Sequence, residues 1–226
     1  MPYVCPRCGQ DDLGFTEVLT CCVVTRTVNN DLEHLETQDW DTTEDTASEY
    51  VCPRCRLRTG RGGLNVKCVA SHGGITVGED GMSAQAIEDL ALATSLIPFD
   101  VVVPADFEAA KQAIVAVGKT TRPAYVRTGR PKVPAIYGSD YRFELGRATK
   151  LRDGSDVTLI ACGVLVGIAL EAANLLANEG VSARVLDMAT IKPIDREAVL
   201  AAARETGAIV TAEEHQTTGG LGTAVA

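Results

Sequence analysis

The sequence predicts an α/β fold: parallel-sheet α/β units preceded by a small β-rich segment. Three observations carry this. From Leu64 onward, short apolar runs alternate with runs of helical period. The chain is 46% hydrophobic but only 4% aromatic, so small aliphatic residues dominate, as suits helices packed closely on a parallel sheet. Six of the eight cysteines fall before position 56, which sets the opening segment apart. At 226 residues the chain is long enough for one large domain or two small ones.

The opening segment, residues 1–62, contains a short repeat: Tyr3-Val4-Cys5-Pro6-Arg7-Cys8 and Tyr50-Val51-Cys52-Pro53-Arg54-Cys55. Two C-x2-C knuckles, separated by 43 residues, can supply four thiolates to one tetrahedral metal. Arg7 and Arg54 add positive charge beside a site that is otherwise doubly negative. Clustering of this kind without a secretory signal favours metal over disulfides. The arrangement resembles a zinc ribbon, with Cys5, Cys8, Cys52 and Cys55 as ligands of a structural zinc. The long separation implies a site held across an inserted loop.

Cys21 and Cys22 sit in a run of β character, where adjacent side chains point to opposite faces; they read as strand residues. Between the knuckles, Asp31 to Glu49 carries eight carboxylates and no Lys or Arg, with Trp40 among them. Such a run reads as a solvated loop, with a docking surface for a basic partner as the sharper alternative. Thr59-Gly60-Arg61-Gly62-Gly63 reads as a flexible linker.

The next unit, residues 63–145, opens with Asn65 to Ala70, which reads as a buried strand. Helices are expected at about 83–96 and 106–118, and further strands at 99–103 and 124–127. In the first helix Ile87, Leu90, Ala91 and Thr94 recur at i, i+3, i+4 and i+7. In the second, Phe107, Ala110, Ile114 and Val117 share a face, and Asp106 is an N-cap candidate. Three strands with helices between them predict a parallel sheet with right-handed crossovers.

A link from Arg130 to about Leu151 leads into the last unit, residues 146–226. Strands are expected at 156–161, 182–187 and 208–212, and helices at 164–178 and 195–206. Leu165, Ile168, Ala172, Leu175 and Leu176 form the expected buried stripe of the first helix. Asp195 is a second N-cap candidate. Gly219-Gly220-Leu221-Gly222 opens a helix; such a turn can bind phosphate, but tight packing explains the glycines equally simply.

The net charge of −9 argues against non-specific nucleic-acid binding. Met1 to Gln10 holds no apolar signal region. The longest uncharged apolar stretch, Val157 to Leu170, is too short to span a bilayer. A cytoplasmic protein with no membrane or nucleic-acid partner is expected.

The richest stretch for chemistry is Ser71 to Gln85, SHGGITVGEDGMSAQ, a long strand-to-helix loop with four glycines, a histidine and two carboxylates. In an open parallel sheet ligands bind at the carboxyl ends of strands, where this loop would lie. The alternative is a structural loop with solvated charges.

This stretch, SHGGITVGEDGMSAQAIEDLA, resembles the substrate loop of the transketolase family, whose members use thiamine diphosphate. The resemblance continues through VVVPAD, PAYVRTGRPKVP, DVTLIACG, ARVLDMATIKPID and GAIVTAEEHQTTGGLGTAVA, and covers roughly Gly63 to Ala226. It implies the end of a pyrimidine-binding domain followed by a transketolase C-terminal domain. It also implies substrate contacts for His72 and Asp80 with a sugar phosphate. Arg127 and Arg130 follow the third strand, and a guanidinium fits a phosphate. The family places an arginine here, which favours Arg130, with Arg127 as alternative or as a structural ion-pair partner. Glu213, Glu214 and His215 read as structural.

The sequence also departs from the family. Ala84 stands where the family commonly has a histidine. No motif matches the glutamate that activates the cofactor, nor the GDG…N motif that holds diphosphate and Mg²⁺. No catalytic residue is therefore assigned. Thiamine diphosphate and Mg²⁺ are expected only with a partner, either a diphosphate-binding subunit or another copy. The expected function is a transketolase-like segment or subunit in carbon–carbon bond transfer on sugar phosphates, inactive alone. Two alternatives stand beside it: a zinc-ribbon binding protein with a non-catalytic α/β scaffold, and a chimeric or truncated chain with no joint function.

Overall fold

The computed structural model describes residues 66–96 and 99–226, and before them only the backbone of five strands. These are Phe15–Glu17 (β1), Arg26–Val28 (β2), His34–Thr37 (β3), Glu49–Val51 (β4) and Arg58–Gly60 (β5). The chain divides into two compact units, Met1–Asn65 and Val66–Ala226.

In the first unit the five strands form one antiparallel sheet in the order β3-β2-β1-β4-β5. The β-rich character is as expected, but two local readings change. The acidic run read as a loop contains β3, and the presumed linker overlaps β5, because Glu49 pairs with Gly60 and Tyr50 with Thr59. Strand pairing uses backbone groups, so polar or glycine-containing segments can join a sheet. Cys5, Cys8, Cys21, Cys22, Cys52 and Cys55 lie outside the described residues.

The second unit holds two four-stranded sheets. Lys67–Ala70 (β6), Asp100–Val102 (β7) and Ala124–Arg127 (β8) are parallel, with β8 in the middle. The other sheet centres on Val157–Ala161 (β10), flanked in parallel by Ala183–Asp187 (β11) and Ile209–Ala212 (β13). Each sheet also gains an antiparallel edge strand that the sequence does not reveal. Thr149–Arg152 (β9) pairs with β11, inside the region read as a link. Thr190–Lys192 (β12) leaves the second sheet's sequence neighbourhood and pairs with β7 of the first. That single strand sews the two sheets together.

Five helices fill the connections: Asp89–Ser95 (α1), Phe107–Gly118 (α2), Leu165–Asn178 (α3), Arg196–Glu205 (α4) and Leu221–Val225 (α5). Of the helix expected over 83–96, only the second half is helical. Gly78–Asp80 and Met82–Ala84 form separate 3-10 turns around Gly81, whose φ is 73°, and Gln85 is extended. Positive φ at Gly81 stops a continuous helix there. Both N-caps are as expected: Asp106 accepts from the Ala109 N–H at 2.9 Å and Asp195 from the Ala198 N–H at 3.1 Å. Each aspartate also ties down distant chain. Asp106 Oδ2 accepts from the N–H groups of Ile136 and Tyr137, and Asp195 Oδ2 from that of Ala148.

The buried helix faces keep part of those expected (Val117 on α2, and half-buried Leu165, Ala172 and Leu176 on α3) but are centred on other residues. On α2 the face is Ala109, Ala113 and Val117, while Phe107 is 80% exposed and Ile114 is also exposed. On α3 it is Val166, Ala169 and Ala173, while Ile168 and Leu175 are exposed. Alanines let a helix approach a sheet closely, so size is a poor guide to which face is buried. The strand residues alternate as the pleat requires. Val101 and Val103 join the core between the sheets, and Val102 the core under α2. Likewise Ile160 and Leu186 face the inter-sheet core, and Leu159, Ala161 and Val185 the core under α3.

β6 is not the buried strand expected. It lies at the sheet edge, paired among the described residues with β8 alone, with Cys68 exposed and Val69 51% exposed. Its apolar composition does not reveal its place in the strand order.

Candidate active site

β6 and β8 run parallel and in register, so their carboxyl ends, Ala70 and Arg127, lie side by side. The loop from Ser71 to Glu88 leaves the first and the Thr128–Arg130 turn leaves the second. Among the described residues His72 is the one non-glycine with positive φ, at 66°. A non-glycine residue there costs about 1–2 kcal/mol, so its surroundings must hold it.

Those surroundings are tight. Gly74 N–H donates to the Ala86 carbonyl at 2.8 Å, closing the loop on itself. The Arg127 side chain passes beneath: a Cβ added at Gly73 would come 2.2 Å from its Nε. At Gly74 a Cβ would come 2.5 Å from Arg127 Nη2 and 2.7 Å from the Glu214 carboxylate. Glycine is therefore required at both positions by close approach. Arg127 is 3% exposed. Its Nη2 donates to the Glu214 carbonyl at 2.8 Å, and its Nη1 lies 3.5 Å from Asp89 Oδ1. Tyr125 O–H donates to Asp89 Oδ2 at 2.7 Å, and burial first, then Asp89, pushes its phenol above its ordinary range.

Arg130 takes a different place, at the surface. Its guanidinium donates to the Val77 carbonyl and to Glu79 Oε1 at 2.8 Å, and stands 3.2 Å from Asp80 Oδ2. A backbone hydrogen bond and then Arg130 hold the Glu79 carboxyl below its usual range. Asp80 and Arg130 are thus brought together. His72 is exposed, with Nδ1 2.8 Å from Ser71 Oγ; among the described residues no hydrogen bond joins it to Asp80 or Arg130. Ala84 ends the second 3-10 turn, and Gln85 Nε2 donates to the Ile75 carbonyl at 3.2 Å.

The segment after β13 reaches this loop across the chain. Glu214 Oε1 accepts from the N–H groups of Ile75 at 3.1 Å and Thr76 at 2.8 Å. His215 Nε2 accepts from the Ala91 N–H at 3.2 Å. Sequence alone has no means of joining residues nearly 140 positions apart, although both lie just past the carboxyl end of a strand. The glycine-rich turn at 219–222 serves packing. A Cβ at Gly219 would come 2.5 Å from the Ala91 Cβ, and the Leu221 and Gly222 N–H groups both donate to Glu213.

A cleft of about 750 Å³ lies elsewhere, between Pro104–Phe107, Thr128–Gly129, Pro131 and Val164. None of His72, Asp80, Arg127 or Arg130 lines it. The polar chemistry converges on the loop rather than on this mainly apolar cleft.

Comparison with known proteins assigns this architecture. The transketolase pyrimidine binding domain matches residues 47–135, and the transketolase C-terminal domain matches residues 146–226. The chain belongs to the transketolase family. It is 41% identical over 162 residues to a subunit of the apulose-4-phosphate transketolase of Phocaeicola vulgatus, covering 71% of this chain and 52% of that one. It is 43% identical over 165 residues to a putative transketolase C-terminal section of Methanocaldococcus jannaschii, covering 72% and 51%. Among solved structures, one described as a split gene transketolase, inactive beta4 tetramer, superposes with a TM-score of 0.67 at 50% identity, covering 72% of this chain and 52% of that one. The chain therefore spans about half the length of these curated relatives.

Membership of the transketolase family implies thiamine diphosphate. The described residues of this transketolase chain do not by themselves fit the diphosphate and its Mg²⁺. Glu79 and Asp80 are engaged by Arg130, and the amides opening α5 are engaged by Glu213. Among the described residues no three His, Cys, Asp or Glu side chains are grouped to hold a metal ion. No described helix is long and apolar enough to cross a membrane.

Proposed function

We propose that the chain supplies sugar-phosphate-facing loops to a split transketolase that transfers ketol groups with thiamine diphosphate. A second polypeptide would hold the diphosphate and Mg²⁺. The observation that carries this is the meeting of Asp80, in the loop after β6 that also carries His72, with Arg130, just past the end of β8. Arg130 is the phosphate contact: it is partly exposed, and its Glu79 partner is solvent-facing and can give way to a phosphate. Buried Arg127 is the scaffold beneath. His72 and Asp80 contact the sugar hydroxyls. The inactive β4 tetramer of the solved relative is consistent with a chain of this kind needing a different partner.

The test is reconstitution. The purified chain alone should bind no thiamine diphosphate. With a diphosphate-binding transketolase subunit and a ketose phosphate, turnover should appear and Arg130→Ala should raise KM at least about tenfold. Absence of turnover at every ratio of subunits retires the reading.

Cys5, Cys8, Cys52 and Cys55 form, on this reading, a structural zinc clamp for the first unit. The pairing of β4 with β5 supports it, since Cys52 and Cys55 fall between those two strands in the sequence. Metal analysis should find about one zinc per chain. Cys5→Ser should release it and Cys162→Ser should not.

A further inference from the structure

We propose that Glu214 is a positioning residue for the loop that carries His72 and Asp80, so that the C-terminal domain sets the geometry of the sugar-phosphate site. This deepens the function proposed above and rests on it for its catalytic meaning. The structural part stands alone.

One carboxylate oxygen of Glu214 accepts from two consecutive loop amides, Ile75 at 3.1 Å and Thr76 at 2.8 Å. The residue is 9% exposed, so the acceptor end of both bonds is largely shielded from water, although Ile75 and Thr76 face solvent. Its own carbonyl accepts from Arg127 Nη2 at 2.8 Å, and Arg127 in turn lies against Gly73 and Gly74. The same segment grips the far end of the loop. His215 accepts from Ala91, Gln216 N–H donates to the Ile87 carbonyl at 3.0 Å, and the Gly219 carbonyl accepts from Thr94 at 3.0 Å. The loop is thus held at both ends by residues 214–219. Its strained residue, His72, precedes the gripped amides by only three positions. A strained backbone persists only where neighbours over-determine it, and Glu214 supplies that constraint from the other sheet. Without it, Ile75 and Thr76 lose their acceptor and His72 is free to leave its left-handed conformation.

Amide hydrogen exchange on the full chain reads this without substrate, cofactor or partner. Glu214→Ala should speed exchange over residues 73–77 about tenfold or more, while β10 and β11 stay within about twofold of the parent. Glu214→Asp, one methylene shorter, keeps the charge but withdraws the carboxylate, and should behave like Glu214→Ala. It also serves if the alanine variant does not fold. Glu214→Gln retains an acceptor oxygen at full reach and should stay within about threefold of the parent. In the reconstituted complex, Glu214→Asp should raise KM for the ketose phosphate more than it lowers kcat, with Glu214→Gln restoring most of the loss. Unchanged exchange over 73–77 in both the alanine and aspartate variants overturns the proposal. So does acceleration spread equally over 157–161. Failure of the parent complex to turn over would sink the proposed function and leave the exchange result standing.

Discussion

The two sheets of the second unit share a plan, three parallel strands and one antiparallel strand at an edge, yet their burial differs. In the C-terminal sheet, α3 packs on β10, β11 and β13, and α5 packs on β13. Four of the five residues of β10 are buried. In the other sheet, β6 has no buried residue, and both Cys68 and Val69 are exposed. The loop with the chemistry leaves this poorly covered edge, not the buried centre. It is held by Arg127 below and by the Glu214–Gly219 segment that follows the well-covered sheet. Rigidity is lent by one half of the unit to the other.

The comparison can be broken most directly in the strands. Ile160→Ala, fully buried on β10, should cost about 2–5 kcal/mol in denaturant unfolding. Val69→Ala on β6 should cost no more than about 0.5 kcal/mol. Equal losses would mean that β6 is covered in solution.

A middle-sized effect is expected where an aspartate joins helix and link. Asp106→Ala removes the α2 cap and the acceptor for Ile136 and Tyr137, and should cost about 1–2 kcal/mol or somewhat more. Asp106→Asn, which keeps a cap oxygen, should recover part of it.

An effect confined to a slope with pH concerns Asp187, at the end of β11. It is fully buried, accepts from Tyr137 O–H at 2.6 Å through Oδ2, and has no partner at Oδ1 among the described residues. Burial first pushes its carboxyl up to about 7. Because the folded value lies above the unfolded one, its stabilising contribution is present below about pH 4 and is lost as pH rises to about 7. Stability should fall across that window by at most about 1.4 kcal/mol per pH unit from this group. Asp187→Asn should flatten that slope, as read by urea midpoints at several pH values. An unchanged slope would show that the carboxyl is solvated.

What can be read in the sequence is local. Asp106 and Asp195 are legible as caps because a cap is decided within three residues. The glycine-rich loop at 71–85 is legible from its wording, and the strand-to-helix alternation from its period. The features that mislead are those in which size or composition stands in for packing. Phe107 and Ile168 look like core residues because they are large, but alanines fill those interfaces. β9 and β12 are invisible because three or four residues carry no period of their own and become strands only by pairing with a distant partner.

The chain's own residues determined that it would be α/β, where its caps would sit, and which loop would carry the polar chemistry, since propensity and hydrogen-bonding reach act over a few positions. Tertiary structure alone decided that β12 joins the other sheet, that Arg127 is buried while Arg130 meets Asp80, and that Glu214 grips Ile75 and Thr76. Those outcomes depend on which distant surfaces close against each other, and contacts made across some fifty to 140 residues leave no local trace.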